Sequence, residues 1–190
     1  MANKGRIAAA WTVALLSLST AATAWAGEDT VVLQVVHRGS TINGRFVEAA
    51  QRDAAAIYER IGVSFVWVTE PATEVPQPHL TLQVVLVSNV ETDFVKAGLP
   101  HNALGVAPRG SNRAYIFCKR IINALARHSH QPVDVILGRV LAHELGHLML
   151  GAGHSSAGVM KAKLDYWSLE APEFSNAEGH DIRERIADAR

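Results

Sequence analysis

One segment constrains the fold of this chain more than any other: Val133 to Leu150, VDVILGRVLAHELGHLML. Apolar residues recur through it at helical spacing and cover nearly its whole circumference, which predicts a central, buried helix. Pro132 suits the first turn, where a missing N–H costs nothing, and Asp134 complements the positive end of the helix dipole. A helix that is apolar all round must be covered on every side, so the remaining chain has to supply layers around it. The 190 residues suffice for one domain with a real core and are too few for two comfortable ones.

Three polar residues sit inside this apolar helix. His143 and His147 are four apart, so both imidazoles leave one face about one turn from each other and can bind a single ion. Ile136 and Val140 continue that face towards the N-terminus, which makes it a cavity wall rather than open surface. Glu144, one step round, leans over the same place without being a ligand, where a general base for an activated water belongs. Without a cation the helix would bury three polar groups that have no evident partners. Gly151 and Gly153 follow and let the chain reverse, since glycine takes positive φ without steric penalty. The first histidine past that reversal, His154, is the third candidate ligand, giving three protein donors and an open fourth position, as catalytic zinc requires. A carboxylate, Asp165 or Glu173, is the alternative for the third place. His37, His79, His101, His128, His130 and His180 have no such context and are read as surface or structural.

Upstream, Thr30 to His37 (TVVLQVVH) is short and β-branched, a strand. INGRFVEAAQRDAAAIYERIG then carries Phe46, Ala49, Ala50, Ala54, Ile57 and Ile61 at helical spacing, an amphipathic helix stopped by Gly62. Val63 to Val68 is a second strand, and Pro71, Pro76 and Pro78 mark a loop. His79 to Ser88 is a third strand, apolar enough along its second half to lie in a sheet covered on at least one face. A short extended piece, Ala103 to Ala107, is joined by a tight turn to a strand over Arg113 to Arg120. Such a pair is most simply antiparallel, and the first member, short and ending in proline, suits a sheet edge. Ser175 and Glu178 form a capping-box pattern that opens a C-terminal helix. The order β-α-β-β-β-β-α-loop-α describes an α+β (α/β-like) domain, a mixed sheet with helices packed against it.

The stretch HELGHLMLGAGHSSAGVM resembles the zinc-binding segment of the metzincin clan of metallopeptidases, with its pattern H-E-x-x-H-x-x-G-x-x-H and a methionine-containing turn beyond. His143, Glu144, His147 and His154 match the ligand and base positions, and Met160 stands where the turn methionine would form an apolar floor beneath the metal. LGVAPRGSNRAYIF is similar to the edge strand, turn and next strand of matrixins. One residue more than the pattern allows separates His147 from Gly151, displacing Gly151 and His154 by one position, and the gap from His154 to Met160 is short; a plain core role is the other reading of Met160. Tyr166, six residues past the methionine, is not assigned the role that a tyrosine has in astacin-like enzymes. The resemblance implies a zincin-like, mostly parallel five-stranded sheet with an antiparallel edge strand, a backing helix, a central active-site helix and a C-terminal helix. It also implies a secreted, zinc-dependent endopeptidase with one catalytic Zn2+, Glu144 as base, and Ala103, Leu104, Gly105, Val106 and Ala107 as the strand that holds a peptide or protein substrate. The rival readings are an exported, non-catalytic zinc- or partner-binding domain of the same shape, and a purely structural role with no metal.

Composition narrows the setting. Lys+Arg and Asp+Glu balance at 18 each, so no charge surplus suggests nucleic acid or another polyanion as partner. Lys4 and Arg6, an apolar run from Ile7 to about Leu18, and Ala24-Trp25-Ala26 read as an export signal over residues 1–26, leaving a zincin-like metallopeptidase domain over 27–190 that is secreted or periplasmic and free of the membrane after cleavage. Cys118 is the single cysteine, so no intramolecular disulfide is possible. Within AYIFCKRI it alternates like a strand residue and reads as a small buried apolar group rather than a reactive thiol.

Overall fold

The computed structural model describes residues 29–40, 42–69, 80–90, 92–128, 131–163 and 170–189. Along the chain the elements are β1 (Thr30–Arg38), α1 (Gly44–Glu59), β2 (Ser64–Thr69), β3 (Leu80–Val87), α2 (Thr92–Lys96), β4 (Gly105–Val106), β5 (Arg113–Phe117), α3 (Cys118–His128), α4 (Val133–Leu150) and α5 (Asn176–Ala187). The expected export signal (1–26) and the proline-rich loop (Pro71 to Pro78) lie outside the described residues. Among the described residues no helix is long and apolar enough to cross a membrane.

β1 is valine-rich because it is sheltered: β2 and β3 flank it, both parallel, and Val31, Val32, Leu33 and Val35 are all buried. β5 adds to β3 in parallel, and β4 closes the edge antiparallel to β5, giving the order β2-β1-β3-β5-β4. The sheet is thus mostly parallel with an antiparallel edge strand. One face carries the main core, to which α1, α4 and α5 contribute. A smaller cluster of Val85, Val87 and Phe117 lies apart from it, with Phe94 of α2 packed against it.

α1 starts at Asn43, whose side chain accepts from the Arg45 N–H, and presents Val47, Ala50, Ala54, Ile57 and Tyr58 to the interior. Its alanines allow α4 to come close: a Cβ on Gly138 would lie 2.8 Å from Asp53 Cβ and 3.0 Å from the Ala50 carbonyl. The buried Tyr58 hydroxyl donates to the Ala142 carbonyl at 3.0 Å, tying the two helices directly beside His143. α4 is buried without interruption from Ile136 to Gly146, as its all-round apolar surface requires. Pro132 is its N-cap rather than a first-turn residue. α5 opens on the expected capping box, with both the Ser175 and the Glu178 bonds made.

Two helices depart from the sequence expectation. The strand expected to run to Arg120 ends at Phe117, the last residue paired with β3, and Cys118 begins α3. Cys118, Ile121 and Leu125 follow helical spacing and point to the core, a signal that the alternation of the preceding strand masks. Cys118 is buried, and burial pushes its thiol pKa up. α2 is five residues long, too short for periodicity to reveal, and is held by the Phe94 ring against Tyr115 and Phe117 at centroid distances of 4.8 and 6.1 Å.

Candidate metal centre and cleft

The second half of α4 forms the floor of a cleft of about 940 Å3. β4 and its flanks line one side, with Ala103, Leu104, Gly105, Val106 and Ala107 all contributing, and Ile136 and Val140 form a wall as their place on the His143 face requires. Gly105 and Val106 form the strand proper, and Leu104 O accepts from the Phe117 N–H of β5 at 2.9 Å, so the strand is shorter than the extended piece that carries it.

His143, His147 and His154 converge here, each offering a ring nitrogen, and the three nitrogens lie within 4.8 Å of one another. The two helical histidines are oriented by carbonyl oxygens. His143 Nδ1–H donates to Val159 O and His147 Nδ1–H to Gly151 O, both at 2.8 Å. A carbonyl only accepts, so each imidazole carries its proton on Nδ1 and a bare lone pair on Nε2. Those two Nε2 atoms face each other at 3.1 Å. Two lone pairs at that separation repel unless a cation lies between them. Protonation is a poor remedy, because burial lowers His143 to about 4 and depresses His147 as well. Zinc at its usual ~2.0 to 2.1 Å from each nitrogen would hold a tetrahedral pair roughly 3.4 Å apart, close to the spacing present. The donor set therefore fits a metal ion.

The added residue between His147 and Gly151 is taken up by the helix. α4 continues to Leu150, and Gly151 ends it at φ 89°, its N–H bonded to His147 O at 3.0 Å. Gly151 thus needs its glycine, whereas Gly153 does not take a positive φ. The chain returns so that the His154 ring lies 5.5 Å from that of His143 and 4.8 Å from that of His147, centroid to centroid. Glu173, the alternative third ligand, is drawn away to Arg60 at 2.9 Å and is exposed. Asp165 and Tyr166 lie outside the described residues.

Beneath the histidines a closed turn carries Met160. The Ser155 N–H donates to Met160 O at 2.8 Å and Val159 N–H to Glu173 O at 3.1 Å, while the Ser155 hydroxyl bonds the Glu178 carboxylate of the α5 cap. Met160 is buried, and its sulfur occupies the place a Cβ on Gly146 would take, with the Phe174 ring beside it. The glycine inside HELGH is thus the socket for Met160.

Glu144 is 6% exposed and lies under β4. It accepts a hydrogen bond from the Ala107 N–H, and its carboxyl group occupies the space that Gly105 leaves open. Burial raises its pKa to about 8, the Ala107 bond only partly opposing the shift. His101, Arg120, Asn123 and Lys163 also line the cleft. Sequence reasoning assigned none of them to it: His101 was expected at the surface, where it also is, and Arg120 was expected at the end of a strand. Among the other histidines His37 and His180 are exposed as expected; His79 and His130 lie outside the described residues. Comparison of the chain with protein-family models and with curated proteins finds no match to either.

Proposed function

We propose that this protein is a secreted or periplasmic zinc-dependent endopeptidase of metzincin type with a zincin-like fold. The observation that carries the reading is the convergence of three histidines, two with their Nε2 lone pairs bare and opposed, beside a buried carboxylate in a cleft bordered by a sheet edge. Zinc held by His143, His147 and His154 would polarise the scissile carbonyl and acidify the attacking water towards a pKa of ~7.

The protein's own groups do the rest. Val159 O and Gly151 O hold His143 and His147 in the Nε2-ligating tautomer and fix their ring planes, as partners of metal-bound histidines do. Glu144 would accept a proton from the attacking water and pass it to the leaving amine; burial raises its pKa, and a bound cation close by would draw it back towards the carboxylate form that a base needs. The Ala107 N–H aims that carboxyl group and Gly105 makes room for it. β4 is the edge strand among the described residues, and an extended peptide would add to its outer side as a further strand. Met160 in its socket supports the turn whose Val159 carbonyl orients His143.

The test uses purified protein. About one zinc per chain and chelator-sensitive cleavage of an unfolded protein substrate are expected, with Glu144→Gln retaining zinc and losing cleavage by at least ~10²-fold. Undiminished cleavage by Glu144→Gln would refute the mechanism. Zinc with no hydrolysis of any peptide library would favour the non-catalytic binding domain instead.

A further inference from the structure

We propose that the cleft selects substrates bearing a carboxylate, read by the guanidinium of Arg120; the cleavage part rests on the peptidase reading above, the binding part does not.

The wall of the cleft that includes Ile136 and Val140 is completed by α3, through Arg120, Asn123 and Ala124. Arg120 is held in place rather than waving in solvent. Its Nη1 donates to the Pro100 carbonyl at 3.0 Å and to the Ala103 carbonyl at 2.7 Å, and the guanidinium lies over the Phe117 ring at 5.4 Å. Those two bonds use the two protons of Nη1. The protons on Nη2 and Nε remain, along an edge whose spacing matches the two oxygens of a carboxylate. Both clamping partners are neutral, and no carboxylate of the described residues pairs with this cation.

The surroundings favour the same ligand. Partial burial lowers the Arg120 pKa by desolvating the cation. Among the described residues lining the cleft, the charged side chains besides Glu144 and the histidines are Arg120 and Lys163, both cationic. Leu99, Leu104, Val106 and Ala124 supply apolar lining, which strengthens an ion pair formed there. The carboxylate can come from an Asp or Glu side chain or from the free C-terminus of the substrate, and the chemistry is the same.

Fluorescent peptides differing only in Glu against Gln, and in free acid against C-terminal amide, distinguish the sources. Their Kd values are measured on zinc-loaded Glu144→Gln protein, and kcat and KM on the parent. A preference for the carboxylate form of roughly tenfold in Kd and KM is expected, typical of a charge-assisted hydrogen-bonded pair. Selectivity for Glu in amidated peptides assigns a side-chain source; selectivity only for the free acid assigns the C-terminus. Arg120→Gln should remove the preference and Arg120→Lys should keep part of it. Asn123→Asp should weaken it by charge repulsion, with the carboxylate peptides losing more affinity than their neutral counterparts. Equal affinity of the parent site for Glu and Gln peptides and for acid and amide overturns the proposal even if all are cleaved. Carboxylate-selective binding without cleavage upholds it and removes the peptidase reading.

Discussion

Gly105→Ala tests the contact between edge strand and base in isolation. Gly105 does not take a positive φ, so alanine fits the backbone and the effect is steric alone. The new Cβ would lie 2.7 Å from Glu144 Cγ and Oε1 and 2.9 Å from Cδ. Relaxed contacts lie at about 3.5 to 4.0 Å, so one partner must yield by about 1 Å. If Glu144 moves, it loses its alignment with the Ala107 N–H, and a misplacement of that size costs on the order of 10²-fold in kcat, equivalent to ~2.7 kcal/mol. If β4 yields, overpacking lowers stability by roughly 1 to 3 kcal/mol and the melting temperature by several degrees. Zinc content should stay at the parental value, because the three nearest atoms all belong to Glu144 and none to a histidine. Gly44→Ala, where a Cβ meets nothing within 4 Å, is the control and should change neither quantity. The assay combines zinc stoichiometry, thermal unfolding and peptide-cleavage kinetics. Parental kcat together with parental melting temperature in Gly105→Ala would refute the reasoning.

Gly158→Ala should be among the most damaging single changes outside the ligands, since Gly158 takes φ 73° and a Cβ there would strike the Glu173 carbonyl. A loss above ~3 kcal/mol in chemical denaturation is expected; a loss below ~1 kcal/mol would mean that the turn under His143 is not held as described. The stability of chelator-treated protein should depend on pH with two opposing signs. Glu144 keeps its proton to about 8 in the native state but loses it at 4.5 once unfolded, so its contribution is complete below pH 4.5 and declines as pH rises through 8. His143 protonates at about 4 in the native state and 6.5 when unfolded, so its contribution is complete above 6.5 and declines as pH falls towards 4, with His147 sharing the sign. Between pH 4.5 and 6.5 the falling Glu144 contribution opposes the rising contributions of His143 and His147. From 6.5 to 8 that of Glu144 stands alone, and unfolding free energy should fall by about 2 kcal/mol. Urea titrations at both pH values check this; Glu144→Gln should flatten the decline, and an equal decline in that variant would assign it elsewhere.

Local pattern determined much of this protein. The apolar circumference of Val133 to Leu150 already dictated a buried helix, the i, i+4 spacing put His143 and His147 on one face, and Ser175 with Glu178 marked the start of α5. These are short-range consequences of helix geometry, so a sequence is enough to read them. Tertiary structure decided what depends on distant segments meeting. His154 joins the other two histidines although the spacing departs from the expected pattern, because α4 absorbs the extra residue before Gly151 turns the chain. Arg120 becomes part of the cleft wall because Phe117 is the last residue of β5 to find a partner on β3, so that the chain coils into α3 where alternation suggested more strand. Gly105, which the sequence marked only as part of the edge strand, and Gly146, to which it gave no role, turn out to be the spaces filled by Glu144 and Met160. Which atom fills a missing side chain is a property of two segments packed together, and neither segment alone encodes it.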